Sequence, residues 1–302
     1  MVQNLRARRA ASTLGRPGAA WAIPGLVFFV VFAVAPMVGI VYLSFTRWDG
    51  LVAPEFSGLE NWSRFLKDGE VLQSTIVTAV LLIGNIAVQL PISLLLGVWA
   101  AGKQRNRAVL SAIFFVPLLL STAATAIMWR QLLDPNFGVP AQLADILGDN
   151  TDLLGSRSGA IACLVAVTSW QFIPFHTLLY QGAARTIPET LYQAASIDGA
   201  GRVRQFRHIT LPQLRNTIIT TTTFMVVGGL TAFDIVLLLT NGGPGTDTAI
   251  MPFKMYQTAF RIYDYGYASA IATFLLLLAT AASLVLVKVS GYDKMTSTLE
   301  GL

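Results

Sequence analysis

The chain has 302 residues, of which 54% are hydrophobic and only 12% are charged, and its formal net charge is +5. Because soluble domains carry roughly 25% charged residues, this composition excludes a soluble globular enzyme, a disordered chain and a nucleic-acid-binding protein. It indicates a membrane protein, in which a basic excess often reports how the chain is oriented. The single cysteine, Cys163, excludes a disulfide within the chain.

Six stretches hold the roughly 20 mostly apolar residues that a helix needs to cross a bilayer. They are residues 21–45, 71–100, 108–129, 159–180, 216–239 and 265–289. The first is too long for a signal peptide, whose apolar region has about 7–15 residues, so we expect it to remain as a span. The sequence therefore predicts an all-α membrane protein with six transmembrane helices over residues 21–289, with tails at 1–20 and 290–302.

The distribution of charge predicts the orientation of these spans. If the N-terminus lies in the cytoplasm, the inner segments hold 14 of the 21 Lys and Arg residues and only four acidic residues. This asymmetry follows the rule that cytoplasmic loops of membrane proteins are rich in Lys and Arg. We therefore expect both termini on the cytoplasmic side.

The longest predicted inner connection, residues 183–215, has a regular internal order. Pro188 and Glu189 are typical of a helix start, because proline suits the first turn and an acidic side chain complements the positive end of the helix dipole. Gly199 is typical of a helix end, because glycine adopts left-handed backbone angles without strain. A short helix is therefore predicted to end at this glycine.

A second short helix is predicted after the glycine. Val203, Phe206 and Ile209 recur every three residues and predict one apolar face, and Pro212 is expected to stop the helix. Two short amphipathic helices around a glycine turn favour a docking surface for a partner protein. A loop that lies on anionic lipid is the alternative interpretation.

This loop closely resembles the EAA loop in permease subunits of ABC importers, above all the carbohydrate permeases of the MalF and UgpA type. The matching residues are Glu189, Thr190, Leu191, Tyr192, Gln193, Ala194, Ala195, Ser196, Ile197, Asp198, Gly199 and Ala200, followed by Phe206, Ile209, Leu211 and Pro212. Further likenesses follow in chain order at Asn61-Trp62 with Phe65, Phe115-Val116-Pro117 with Trp129, Trp170-Gln171 and residues 239–245. Gln193 departs from the pattern, since the family usually has a charged Glu there.

The resemblance implies the type I ABC importer permease architecture and a place in the cell membrane of a prokaryote. The implied partners are a second, related permease subunit, two copies of a cytoplasmic ABC ATPase and an extracellular binding protein that delivers a carbohydrate-type solute. ATP and Mg²⁺ would be bound by the ATPase subunits, so no cofactor, metal or catalytic residue is expected in this chain. The implied coupling residues are Glu189, Tyr192, Gln193, Ala194, Ala195, Asp198, Gly199, Ala200, Phe206, Ile209, Leu211 and Pro212.

One segment imitates a nucleotide-binding loop, because Gly97, Gly102 and Lys103 have the Gly-x4-Gly-Lys spacing. The next residue is Gln104 instead of the Ser or Thr that would hold Mg²⁺, and bulky Trp99 stands where the backbone should be free. We therefore expect that the chain does not hydrolyse ATP.

Polar side chains inside the predicted spans are candidates for the solute path. Asp234 is the only acidic residue in a predicted span, where a charge costs about 2.5–3.5 kcal/mol at the bilayer centre, so a functional role is the default interpretation. A structural hydrogen-bonding role is the alternative for Asp234, as a packed side chain is for His176. The other candidates are Asn85, Gln89, Trp170 and Gln171, whose amides and ring suit sugar hydroxyls and ring faces.

Two other classes of function stay open on the sequence. One is a secondary solute transporter or channel without an ATPase, although this class leaves the order of residues 183–215 unexplained. The other is a membrane sensor or scaffold that uses the same loop to dock a cytoplasmic partner.

Overall fold

The computed structural model describes residues 19–102, 114–142 and 152–290, and almost all of its regular structure is helical. The helices are α1 (Ile23–Leu43), α2 (Glu60–Lys67), α3 (Gly69–Ala101), α4 (Thr122–Leu132), α5 (Arg157–Arg185), α6 (Glu189–Ile197), α7 (residues 202–213), α8 (Arg215–Thr231), α9 (Met251–Phe260) and α10 (Tyr265–Ser290). Strands β1 (Thr46–Arg47) and β2 (Glu55–Phe56) form an antiparallel hairpin between α1 and α2.

Four helices in the described part of the chain, α1, α3, α5 and α10, are long and apolar enough to cross a membrane. They agree with the spans predicted at 21–45, 71–100, 159–180 and 265–289. Helices α3 and α5 stay continuous although they contain Pro91 and Pro174. The predicted all-α membrane fold is confirmed, whereas the total of six spans and the side on which the termini lie stay predictions.

The third predicted span, 108–129, is not one unbroken helix. Its residues 108–113 lie outside the described residues, and residues 114–119 are helical. The helix then breaks, and Ser121 caps α4 by accepting a hydrogen bond from the backbone N–H of Ala124 at 3.2 Å.

The fifth predicted span, 216–239, is also interrupted, and the prediction of a continuous helix there is wrong. Helix α8 ends at Thr231 because Ala232 is extended, with φ −60° and ψ 116°, and a separate helical turn follows at Val236–Thr240. Two adjacent glycines, Gly228 and Gly229, weaken the end of α8. Hydropathy averaged over a span does not register such a break.

The bundle is organised around α3 and α5. Gly97 in α3 lies so close to α5 that a Cβ added there would be 2.5 Å from the Cβ of Tyr180 and 2.9 Å from the backbone oxygen of Thr177. The largest buried cluster joins α3 and α5 to α4, α9 and the turn after α8. Its members include Val77, Leu81, Ala126, Leu164, Val167, Val236, Leu239 and Phe253.

Polar contacts hold the end of the bundle that carries strands β1 and β2, here called the β-hairpin end. The hydroxyl of Tyr267 donates a hydrogen bond to Asp68 at 2.7 Å, and the buried Lys254 pairs with Glu70. Burial opposes ionisation of Asp68, but hydrogen bonds from Tyr267 and the backbone N–H of Glu70, with the charge of Lys254, hold its pKa below the ordinary value. These contacts fix the segment before α3 against α9 and α10.

Candidate functional site

Helix α6 begins and ends where the sequence predicts. Pro188 is extended, with φ −60° and ψ 130°, and the helix starts at the next residue. At the other end Gly199 has φ +73°, the left-handed conformation that glycine adopts without strain. The backbone N–H of Ala200 donates to the oxygen of Ala195 at 2.8 Å, which closes the helix end.

Helix α7 differs from the prediction at Pro212. The helix includes a wider π-helical turn at Phe206–Thr210, and Pro212 then lies in the first turn of the short α-helical segment Leu211–Gln213. A proline lacks the backbone N–H, but that group is not needed in a first turn. The expectation that Pro212 stops the helix is therefore wrong, and the break falls at Leu214, with φ −85° and ψ 1°.

Side-chain hydrogen bonds fix α6 against α7, and we call residues 189–213 the helical hairpin. The hydroxyls of Tyr192 and Thr210 are 2.8 Å apart. The side chain of Gln205 donates to the hydroxyl of Ser196 at 3.0 Å and to the backbone oxygen of Ala200 at 2.9 Å. The helical hairpin is therefore one ordered unit.

The base of the helical hairpin packs on the membrane helices. Phe206 contacts a buried cluster formed by Leu94 in α3, Tyr180 in α5 and Leu214. Within the same end of α5, the hydroxyl of Tyr180 lies 2.5 Å from the hydroxyl of Thr221 in α8. The base of the helical hairpin therefore packs on a cluster to which both α3 and α5 contribute.

The tip of the helical hairpin exposes two large apolar side chains. Ile197 is 87% exposed and Val203 is 82% exposed, so Val203 does not share the inward face of Phe206 as its spacing predicted. The predicted coupling residues lie around this tip or on the base. Glu189, Gln193, Ala194, Asp198, Gly199, Leu211 and Pro212 are exposed, whereas Tyr192, Ala195, Ala200, Phe206 and Ile209 are half-buried.

A cavity of about 430 Å³ lies between α3, α5, α8 and the break after α8. Four of the six residues predicted for the solute path line it: Asn85, Gln89, His176 and Asp234. They come from three separate elements, so the fold brings together side chains that are up to 149 positions apart in the sequence. The cavity is a candidate solute site.

The polar groups of the cavity are partly organised by hydrogen bonds. Gln89 donates to the side-chain oxygen of Asn85 at 3.0 Å, and Asn85 donates to the backbone oxygen of Leu81 at 2.9 Å. His176 is 3% exposed, and its Nδ1 has no hydrogen-bond partner within the described residues. Asp234 is exposed. Amides, an imidazole and a carboxylate can together donate to and accept from the hydroxyls of a polar solute.

The other two predicted path residues, Trp170 and Gln171, do not line this cavity. The ring of Trp170 packs edge-on against Trp129, with centroids 5.5 Å apart. The side chain of Gln171 donates to the backbone oxygen of Leu120 at 3.0 Å, which satisfies the break before α4. Their contacts are structural ones between α5 and the neighbouring segment.

The sequence predictions did not include the aromatic part of the cavity wall. Phe172 and Phe175 of α5, Phe224 of α8 and Phe233 after the break line the cavity with the polar groups. Ring faces of this kind cover the C–H faces of sugar rings well. Helical spacing was a usable signal, because Phe172 and Phe175 lie on the face of α5 that carries His176.

The segment that imitates a nucleotide-binding loop is helical as far as Ala101. Its first glycine, Gly97, is accounted for by the close approach of α5 described above. The backbone amides there are engaged in the helix and are not free to bind phosphate. Lys103 and Gln104, on which the spacing argument also depended, lie outside the described residues.

A bundle of long apolar helices, with a cavity that contains several polar side chains and an ordered helical hairpin at one end, is typical of a transmembrane permease. The model of the family described as binding-protein-dependent transport system inner membrane component matches residues 93–290. A probable ABC transporter permease of Pyrococcus horikoshii is 35% identical, with 85% of this chain and 89% of the relative covered. The multiple sugar-binding transport permease MsmF of Streptococcus mutans is 31% identical, with 88% and 92% covered.

The chain belongs to this family of inner membrane components of binding-protein-dependent transport systems. The trehalose/maltose transport permease MalF of Thermococcus litoralis is a further relative, 31% identical over 90% of this chain and 92% of the relative. The chain is therefore a permease subunit of an ABC importer, as the EAA-like loop predicted.

Solved structures support the fold. A chain from the crystal structure of a bacterial alginate ABC transporter, in complex with a pentasaccharide-bound periplasmic protein, superposes with a TM-score of 0.80. The match covers 92% of this chain and 94% of that chain at 21% identity, so it bears on the fold alone. A chain of the MetNI methionine ABC transporter, in inward-facing conformations, gives a TM-score of 0.51 at 17% identity, covering 76% and 97%. The expected type I importer architecture is confirmed.

Proposed function

We propose that this permease moves a carbohydrate-type solute into the cell through the cavity between α3, α5 and α8. The sugar-transport names of the relatives in Streptococcus mutans and Thermococcus litoralis support a carbohydrate. The cavity supports it as well, because amide and imidazole groups for hydroxyls stand beside aromatic faces for ring carbons. The solute path in this proposal comprises Asn85, Gln89, His176 and Asp234.

The single observation that carries the proposal is the connection between the helical hairpin and the cavity. Phe206 packs against the buried cluster to which Leu94 of α3 and Tyr180 of α5 belong. His176 lies one helical turn from Tyr180 on α5, and Gln89 lies between one and two turns from Leu94 on α3. A push on the helical hairpin would therefore move the two helices that carry the polar wall of the cavity.

In this proposal, ATPase subunits supply the force that moves the helical hairpin. Two copies of a cytoplasmic ABC ATPase bind ATP and Mg²⁺ and receive the helical hairpin in a groove, while a second, related permease completes the path. An extracellular binding protein delivers the solute. This chain supplies no nucleotide site and no catalytic residue, and it crosses the prokaryotic cell membrane six times with both termini in the cytoplasm. Gln193 gives the ATPase contact a neutral hydrogen-bonding group.

The experiment tests coupling with the complete transporter in liposomes. Gly199→Val forces a β-branched residue into φ +73°, whereas the matched variant Gly201→Val places the same side chain at φ −67° in open space. We expect Gly199→Val, and deletion of residues 189–200, to abolish solute-stimulated ATP hydrolysis while the chain still inserts into the membrane. Gly201→Val should retain most of this stimulation.

Two results would contradict the proposal. One is normal coupling in the deletion variant, because the helical hairpin would then have no role in it. The other is solute uptake by the purified chain alone, because a transporter without ATPase subunits would then explain the data. Co-purification of an ATPase and a second permease with the tagged native chain is the supporting control.

A further inference from the structure

We propose that Asp234 makes the cavity selective against anions, so that the carbohydrate carried is neutral or positively charged and is not a uronate or a sugar phosphate. The inference rests on the proposed function, because it assigns the class of solute that the same cavity accepts. Asp234 is the specificity-determining residue in this account.

The charges of the cavity wall carry the inference. Among the described residues that line the cavity, Asp234 is the only side chain with a formal charge, and none is Lys or Arg. An anionic group in the cavity would therefore meet a carboxylate and no compensating cation from the described lining residues. The uncharged polar lining residues are Asn85, Gln89, Thr122, Thr168, His176 and Thr231.

No ion pair among the described residues neutralises the charge of Asp234. In the described part of the chain the ion pairs join other residues, and Asp234 takes part in none of them. Lys254, one helical turn after the cavity residue Ile250, pairs with Glu70 instead. The carboxylate is therefore left to act on the contents of the cavity.

The wall around this carboxylate strengthens its effect. Most lining residues are apolar, among them Leu81, Leu164, Phe172, Phe224 and Ile235. Asp234 itself is exposed, but the apolar walls screen the field that its carboxylate projects into the cavity less than bulk water does. The field repels anions, attracts ammonium groups and leaves neutral sugars to bind through the amides and rings.

The test measures the sign of this potential with charged thiol reagents and needs no knowledge of the solute. In the complete transporter, with Cys163→Ala, a thiol is introduced by Thr168→Cys or, in a second preparation, by Thr231→Cys, both at positions that line the cavity. The thiol is labelled with a positively charged and with a negatively charged methanethiosulfonate. Each labelling rate is divided by the rate at which the same reagent reacts with a small free thiol in solution. Both reagents react with the same thiolate, so any effect of Asp234 on the thiolate fraction cancels when the two corrected rates are compared. The ratio of the cationic to the anionic rate therefore reports the electrostatic potential in the cavity.

We expect the cationic reagent to react about tenfold faster or more, and Asp234→Asn to bring the ratio close to one. Asp247→Asn is the matched control, because it removes a carboxylate that faces Arg157 at 3.8 Å and does not line the cavity, and it should leave the ratio unchanged. A ratio near one with Asp234 present, faster anionic labelling, or a ratio that Asp234→Asn does not change would overturn the inference.

Failure of this inference is distinguishable from failure of the proposed function. If the ratio behaves as expected but deletion of residues 189–200 leaves solute-stimulated ATP hydrolysis intact, the coupling proposal fails and the selectivity stands. If that deletion abolishes coupling but the ratio is insensitive to Asp234, the selectivity fails and the coupling stands.

Discussion

At the scale of single residues, Gly97 shows how helix packing can produce a misleading motif. A nucleotide-binding loop needs its first glycine for a turn, but here the glycine lets α5 approach α3. The contact atoms are the Cβ of Tyr180 and a backbone oxygen, neither of which can move aside without shifting the helix. Helix packing therefore explains why position 97 is a glycine, and a nucleotide-binding role is not needed to explain it.

Gly97→Ala should destabilise the protein by about 1–3 kcal/mol, the usual cost of an overpacked contact. The measurement is the thermal unfolding midpoint of the purified transporter. Gly182→Ala is the matched control, because Gly182 lies in α5 with nothing within 4 Å of a new Cβ. If both variants unfold at the same temperature as the native chain, the close contact at Gly97 does not exist.

Asp68, at the β-hairpin end, predicts a pH dependence of the stability of the protein. Its pKa is lowered on folding, so its stabilising contribution is complete above the unfolded-state value of about 4 and is lost as pH falls through the folded-state value. Asp68→Asn should cost about 1.5–3 kcal/mol at pH 7, as expected for hydrogen bonds to a charged group, and should flatten the acid side of the stability profile.

The measurement is unfolding temperature as a function of pH for the native chain, Asp68→Asn and Tyr267→Phe. Tyr267→Phe removes only the hydroxyl that donates to Asp68 at 2.7 Å, so it should weaken the acid dependence in the same direction. An Asp68→Asn variant that keeps the native acid profile would show that another group is responsible.

At the scale of elements, the two faces of α7 should have separable effects. Phe206→Ala removes a ring from the base and should cost about 2–3 kcal/mol, below the range for a fully buried ring because Phe206 is only half-buried. Val203→Asp changes a side chain that is 82% exposed, so it should leave stability within about 0.5 kcal/mol but weaken retention of the ATPase.

Thermal unfolding and ATPase co-purification, measured on both variants, check this separation. Loss of stability in Val203→Asp together with full ATPase retention would contradict the assignment of Val203 to the docking tip.

Sequence patterns predicted the long helices and the start and end of α6 because hydropathy, proline and glycine act locally. They did not predict the break at Ala232, because the backbone there leaves the helix without a proline and within an apolar stretch. Trp170 shows the same limit at the site. Each residue advances about 100° around a helix, so Trp170 lies about 160° from Thr168, on the other side of α5. A polar or aromatic type alone does not indicate which face it occupies.

At the scale of the whole molecule, α3 and α5 connect the two candidate sites. Their middle parts carry Gln89 and His176 of the cavity, and Leu94 and Tyr180 farther along them belong to the cluster on which Phe206 packs. Rigid helices that reach both sites can carry coupling between them if they have two discrete arrangements. The proposed coupling therefore depends on what touches the exposed tip of the helical hairpin.

Photo-crosslinking in the native membrane identifies what the tip of the helical hairpin touches. A benzoylphenylalanine is placed at Val203, which is 82% exposed at the tip of the helical hairpin, or at Leu66, which is 83% exposed at the β-hairpin end. We expect a covalent product with an ATP-binding subunit from Val203 and none from Leu66. The same product from Leu66, or only lipid adducts from Val203, would contradict this expectation.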